Sequence, residues 1–131
     1  AADLCLKNVT FLSSVSKDEV SRFLSICDVM LAPLKKDDNF KTVIPSKIFE
    51  ASAMQRPVLL GVEGQAKEIL EAYGAGACFE PENEKDFVEK LNILTDVDFY
   101  NECKTGCLRL ASDYDRKKLA KTMLEILKIL S

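Results

Sequence analysis

Short apolar runs of strand type alternate along this chain with longer stretches whose apolar residues recur at helical spacing. Asn8-Val9-Thr10-Phe11-Leu12 is β-branched and aromatic and predicts a first strand, after a segment over residues 1–7 that reads as the tail of a helix. Ser16, with Glu19 three residues on, has the spacing of a capping box, and Val20, Phe23, Leu24 and Cys27 continue it as an amphipathic helix. Asp28-Val29-Met30-Leu31-Ala32-Pro33-Leu34 is almost wholly apolar, as a parallel strand buried on both faces would be. Residues 35–41 form a charged loop. Pro45 suits a first helical turn, and Ile48, Phe49, Ser52 and Ala53 predict the packing face of a helix that stops near Gln55, because Arg56 precedes Pro57. Val58-Leu59-Leu60 then predicts a buried strand. A turn at Glu63-Gly64 leads into a helix over residues 65–73, with Ile69, Leu70 and Tyr73 on one face and Gly74-Ala75-Gly76 to end it. Ala77-Cys78-Phe79-Glu80 predicts a fourth strand stopped by Pro81, and residues 84–94, 97–110 and 114–130 predict three closing helices.

Strands alternating with helices of about a dozen residues imply βαβ units, hence an α/β domain whose parallel sheet of about four strands is flanked by helices. Residues 1–131 read as one domain, with no repeat or linker. In open sheets of this kind ligands bind beyond the carboxyl ends of the strands. The loops there are Ser13-Ser14-Val15, residues 35–45 and Val62-Glu63-Gly64.

Composition narrows the chemistry. With 47% apolar and 30% charged residues the chain forms a core, and no apolar run approaches the ~20 residues of a membrane span. The absence of a basic-then-apolar opening reads as an intracellular, soluble protein. A net charge of −3 argues against nucleic acid as a partner. Five cysteines without Cys-x-x-Cys spacing and no histidine argue against a disulfide framework or a metal site. Cys5, Cys27 and Cys78 read as reduced core residues, and Cys103 and Cys107 as two packed thiols on one helix face. Without histidine, acid–base chemistry rests on carboxylates. The last helix is locally basic, five basic residues to one acidic, and its Leu119, Met123, Ile126, Leu127 and Leu130 form a stripe. It reads either as a terminal helix packed on the domain with solvated lysines or as a membrane-surface helix.

Thr42-Val43-Ile44-Pro45-Ser46-Lys47-Ile48-Phe49-Glu50-Ala51, followed by Pro57-Val58-Leu59-Leu60-Gly61-Val62-Glu63-Gly64, resembles the C-terminal half of family-four bacterial glycosyltransferases, with the Rossmann-like domains of the GT-B fold. Asn8-Val9-Thr10-Phe11-Leu12, Asp28-Val29-Met30-Leu31-Ala32-Pro33-Leu34, Gly76-Ala77-Cys78-Phe79-Glu80-Pro81 and Tyr114-Asp115-Arg116-Lys117-Lys118-Leu119-Ala120 fall where that family has its strands and final helix. The group acting in capsule, colanic-acid and O-antigen synthesis is the most similar in flavour.

The resemblance implies a nucleotide-sugar donor site on this domain, an acceptor bound by a separate N-terminal domain, and retaining transfer without metal or cofactor. Glu50 stands where the family has the glutamate that holds the ribose hydroxyls; an ionised carboxylate, with two acceptor oxygens, suits a cis-diol. The N–H groups of Val43, Ile44 and Ser46 and the Ser46 hydroxyl would face the diphosphate, and Lys47 reads equally as a diphosphate contact or a solvated helix start. Thr42 stands seven residues ahead of the ribose position, where the family often has a further glutamate close to the donor sugar. Ser14 and Val15 fall in the loop that contacts the base, where Ser13 replaces the usual glycine. Against the family the chain reads as an N-terminally truncated donor-binding domain, an incomplete half of a GT-B fold. The Val9 strand would pair directly with the Val29 strand, or strands would be exchanged in a homo-oligomer, to close the sheet. The implied location is the cytoplasm, at the inner face of the membrane if the basic helix binds there. A non-catalytic α/β nucleotide-binding or regulatory module is the other reading; a receiver domain lacks its acidic residues here, and an epimerase its histidine.

Overall fold

Val58, Leu59 and Leu60 form the middle of the sheet, as their unbroken apolar run predicts. The structure, a computed structural model, describes residues 6–130. In chain order these give α1 (Lys17–Ile26), β1 (Met30–Pro33), a 3₁₀ turn (Asp38–Thr42), α2 (Lys47–Ala53), β2 (Val58–Gly61), α3 (Gln65–Tyr73), β3 (Gly76–Cys78), α4 (Glu84–Ile93), α5 (Val97–Asp113) and α6 (Arg116–Leu130). The strands are parallel in the order β1-β2-β3, with Met30 opposite Val58 and Val58 opposite Gly76.

Successive side chains of a strand face opposite sides, and β2 uses both. Val58 and Leu60 enter a core with Ile48 and Ala51 of α2, Ala66 and Leu70 of α3, and Cys107 and Leu110 of α5. Leu59 enters a second core with Ala77, Phe79, Leu94 and Cys103, against which Phe87 of α4 and Phe99 pack. Leu59, Leu60, Leu70 and Leu110 are each 1% exposed or less, a burial worth roughly 1.5–3 kcal/mol per side chain. α5 reaches both cores. It does so at close range: a Cβ on Gly106 would overlap the carbonyl oxygens of Tyr73 and Gly74.

Two helices end in the same way. At the end of α3, Gly74 has φ 60°, with its N–H donating to Glu71 and that of Ala75 to Leu70. At the end of α2, Gln55 has φ 54°, with its N–H donating to Ser52 and that of Arg56 to Ala51. Both are Schellman ends, and only the first has the glycine that takes this conformation without penalty.

The structure corrects several expectations. Residues 8–12 form no strand; Phe11 is 81% exposed, and the outer edge of β1 has no partner among the described residues. The sheet therefore has three described strands instead of four, and the direct Val9–Val29 pairing is not made. A β-branched run becomes a strand only against a ladder partner and a covering face, and this one has neither. For the same reason β1 is not buried on both faces: Ala32 is buried, but Leu31 and Pro33 are exposed. The helical tail over residues 1–7 is absent at Leu6 and Lys7 and otherwise lies outside the described residues, as does Cys5. Cys27 is exposed at the end of α1 instead of in the core, its thiol donating to the Phe23 carbonyl at 3.1 Å. α2 buries Ile48, Ala51 and Ser52, whereas Phe49 is half-buried and Ala53 exposed. Pro45 lies ahead of the Ser46 cap, its carbonyl accepting from the Ile48 N–H. Ser16 and Glu19 do meet, the Glu19 carboxylate accepting from the Ser16 N–H at 3.1 Å and its hydroxyl at 2.8 Å, which lowers the carboxyl pKa.

Replacing Gln55 by glycine should stabilise the protein by about 1 kcal/mol, read as a higher denaturation midpoint with an unchanged slope. Burial pushes the thiols of Cys103 and Cys107 up to about 11 and that of Cys78 up to about 12, from an ordinary value of 9.0. These thiols stabilise the fold fully below pH 9.0 and progressively less as pH rises toward those values, because the unfolded chain ionises first. Denaturation at increasing alkaline pH should show the loss, and a Cys103→Ala/Cys107→Ala variant should show less of it.

Candidate functional site

α2 leaves the carboxyl side of the sheet and runs back toward the start of β2, so its first turn stands where ligands of such sheets bind. Ile48, Ala51 and Ser52 hold it to the core, which turns Ser46 and Glu50 outward, one turn apart. The Ser46 hydroxyl donates to the Glu50 carboxylate at 3.5 Å. Both line a groove of about 760 Å³. Its other walls are Val20, Ser21 and Leu24 of α1, Phe49 and Ala53 of α2, and Ala111, Tyr114, Asp115, Arg116 and Lys117 at the junction of α5 and α6.

That junction is held by its own chemistry. The Tyr114 ring stacks on Phe49 with centroids 4.9 Å apart and meets Tyr73 edge-on at 6.0 Å. The Tyr73 hydroxyl donates to Asp113 at 3.0 Å, and the Lys118 ammonium donates to the same carboxylate at 3.2 Å. These bonds, the tyrosine's first, lower the Asp113 pKa, and the Asp113 carboxylate raises that of Tyr73. Asp115 accepts from the Lys118 N–H at 2.9 Å and so caps the start of α6.

Of the residues singled out from the sequence, Ser46 and Glu50 come together here. Lys47 is exposed on the same turn without lining the groove. Val43 and Ile44 are exposed just before it, Val43 in an extended conformation with its N–H donating to the Phe40 carbonyl at 3.2 Å. The amides of Ile44, Ser46 and Lys47 donate to no acceptor among the described residues. Thr42 ends the 3₁₀ turn, its hydroxyl donating to the Asn39 carbonyl at 3.5 Å. Ser14 and Val15 lie in the irregular segment before α1, outside the groove. Sequence reasoning missed the Tyr114–Lys117 wall. Its one signal was an aspartate directly before a basic helix, the mark of a helix start.

The carboxyl ends of the strands carry a second, smaller cleft of about 490 Å³, bounded by Leu34 and Lys35 after β1 and by Phe79, Asn83 and Phe87. Ion pairs tie the neighbouring loops. Lys36 meets Glu80 at 2.8 Å, and Lys41 reaches Asp38 at 2.7 Å and Glu63 at 3.7 Å. Gly64 makes the last contact possible, since with φ 81° a Cβ there would overlap the Lys41 carbonyl. All these side chains are about half exposed or more, so each pair contributes little. Among the described residues no group of three or more acidic, cysteine or histidine side chains is placed to hold a metal ion.

The family profile described as Glycosyl transferases group 1 matches residues 1–105. The chain belongs to the group 1 glycosyl transferases. No curated protein and no solved structure gives a significant match. Membership of the group 1 glycosyl transferases implies a nucleotide-sugar donor and an acceptor, and the mixed α/β architecture with its parallel sheet agrees with a Rossmann-like part of a GT-B domain. The profile covers α2 and the 3₁₀ turn, whereas Tyr114, Arg116 and Lys117 lie beyond it. The α1 and α2 walls of the groove thus lie within the matched residues, and the wall at the junction of α5 and α6 lies beyond them.

The bond from Lys36, followed by that from Asn83, lowers the Glu80 pKa. The carboxyl should therefore titrate below an ordinary glutamate in a ¹³C NMR titration, and Lys36→Met should move it upward. The sign follows from linkage: what this carboxylate contributes is present above the unfolded value and lost as pH falls through the folded one.

Proposed function

We propose that this chain forms part of the donor side of a retaining, metal-independent glycosyltransferase that takes a nucleoside-diphosphate sugar and passes the sugar to a saccharide or lipid-linked acceptor in cell-surface polysaccharide synthesis. The observation that carries the reading is the outward Ser46–Glu50 pair on the first turns of α2, at a groove large enough for a nucleotide and in a segment that the family profile covers. Glu50 accepts a single long bond, from Ser46, which leaves oxygens open to the two hydroxyls of a ribose. The amides of Ile44, Ser46 and Lys47 have no other acceptor and so are available to the diphosphate.

In the transfer itself the anomeric C–O bond to the diphosphate breaks, with its electron pair going to the phosphate oxygen. The acceptor hydroxyl forms the new bond to the anomeric carbon and gives up its proton to an oxygen of the departing diphosphate. Charge therefore builds on the leaving diphosphate, and N–H donors already aimed at it stabilise the transition state more than the ground state. Thr42 would lie toward the sugar, and Ser14 and Val15 toward the base. The acceptor would sit on a separate N-terminal domain, and the setting would be the cytoplasmic side of a bacterial membrane.

Calorimetric titration of the chain with uridine and guanosine diphosphates tests the reading. Binding of one of them should weaken by roughly tenfold or more in Glu50→Ala, the loss of one or two hydrogen bonds to a charged group. Binding that is undiminished in that variant would remove Glu50 from the ribose. Absence of binding to either nucleotide would show that this chain alone does not hold the donor.

A further inference from the structure

All 15 residues of α6 are exposed, so the expected packing of its apolar stripe on the domain is not made among the described residues. No described helix is long and apolar enough to cross a membrane. The first turn of α6 differs from the rest in having a defined neighbour. Arg116 and Lys117 line the groove of Ser46 and Glu50. Neither side chain has a hydrogen-bond or ion-pair partner among the described residues, whereas the next residue, Lys118, pairs with Asp113 at 3.2 Å. A guanidinium and an ammonium left unpaired at the wall of one groove provide for an anion, the first as a planar fork and the second as a point charge.

The groove also holds two carboxylates, and neither neutralises these cations. Asp115 accepts from the Lys118 N–H at 2.9 Å, and Glu50 accepts from Ser46 at 3.5 Å. Asp115 thereby fills the amide that a helix start offers to an anion, so an anion here depends on the side chains. The charges are divided between walls, with Glu50 on α2 and the two cations on α6. Tyr114, stacked on Phe49 with centroids 4.9 Å apart and two residues ahead of Arg116, holds one wall to the other. A ligand that uses both walls carries hydroxyl donors in one part and negative charge in another, as a nucleoside diphosphate does. A nucleoside would leave the cations unused, and pyrophosphate would leave Glu50 unused.

We propose that Arg116 and Lys117 are binding residues for the diphosphate of the donor, held from the closing helix on one wall while the first turn of α2 faces it from the other. The orientation of the nucleotide rests on the donor reading given above. The anion site at Arg116 and Lys117 does not, and pyrophosphate, which has no ribose, probes it alone.

Titration with inorganic pyrophosphate, followed by ¹⁵N NMR, should move the Arg116 side-chain signal and the amides of residues 114–118 in a saturable way. An Arg116→Gln/Lys117→Gln variant should lower the affinity by roughly tenfold or more, the loss of hydrogen bonds to a charged group. Both residues are exposed, so its denaturation midpoint should stay that of the parent. Arg116→Lys should keep part of the binding, as a point charge in place of a fork. Glu50→Gln, which removes a negative charge from the groove, should not weaken pyrophosphate. Uridine or guanosine diphosphate should lose affinity in the double variant, whereas the matching nucleoside should bind variant and parent alike. Pyrophosphate that leaves the 114–118 signals unmoved, or binds the double variant as tightly as the parent, would overturn the proposal and leave the Glu50 assignment standing. Pyrophosphate bound at Arg116 and Lys117 by a chain that binds neither nucleotide would support the anion site and remove the ribose reading.

Discussion

Leu59 and Leu60 point to opposite faces of one strand, and water can leave both only if helices close the sheet from two sides. That single requirement accounts for most of the arrangement. α2, α3 and α5 cover the Val58 and Leu60 face, and α4 covers the face of Leu59. The parallel pairing follows, since each strand must return to the same end of the sheet after its covering helix. Once β2 is central, β1 and β3 are edges of the described sheet, and the loops after β1 and β2 stand side by side, with Lys41 bridging to Glu63.

The part of the sequence that was legible is the part whose pattern is local. The apolar run at Val58, the helix faces at Leu70 and Leu94, and the left-handed Gly74 were all readable because spacing and residue type determine them. Asn8-Val9-Thr10-Phe11-Leu12 has equally good strand chemistry and forms no strand, because a strand also depends on a neighbour that spacing does not reveal. Cys27 misled in a related way: it continues the apolar spacing of α1, but no apolar element among the described residues covers the last turn of that helix, where Ile26 is 77% exposed. At the candidate site, Ser46 and Glu50 were legible through their motif. The Tyr114–Lys117 wall was not, because it arises from the turn between two helices and from ring contacts with Phe49 and Tyr73 across about 40 residues or more of chain.

Family membership and geometry meet at α2. A seven-residue helix has little stability of its own, and it is kept in place by three buried side chains and a Schellman end that needs an unfavourable conformation of Gln55. Ser52 sits beneath it, fully buried, its hydroxyl without an oxygen or nitrogen partner and facing the Cys107 sulfur, a weak acceptor. The turn that carries Ser46 and Glu50 is therefore supported from below by packing, with few polar ties, while its outer side remains open to the groove.

The length of α5 has a consequence for how the molecule comes apart. Cys103 belongs to the core on one side of the sheet, and Cys107 and Leu110 to the core on the other, with Gly106 between them pressed against the end of α3. Neither layer can melt without drawing this helix out of the other, so the two cores should open as one cooperative unit. Amide exchange in α5 would then report global unfolding, with no intermediate in which one face of the sheet is bare.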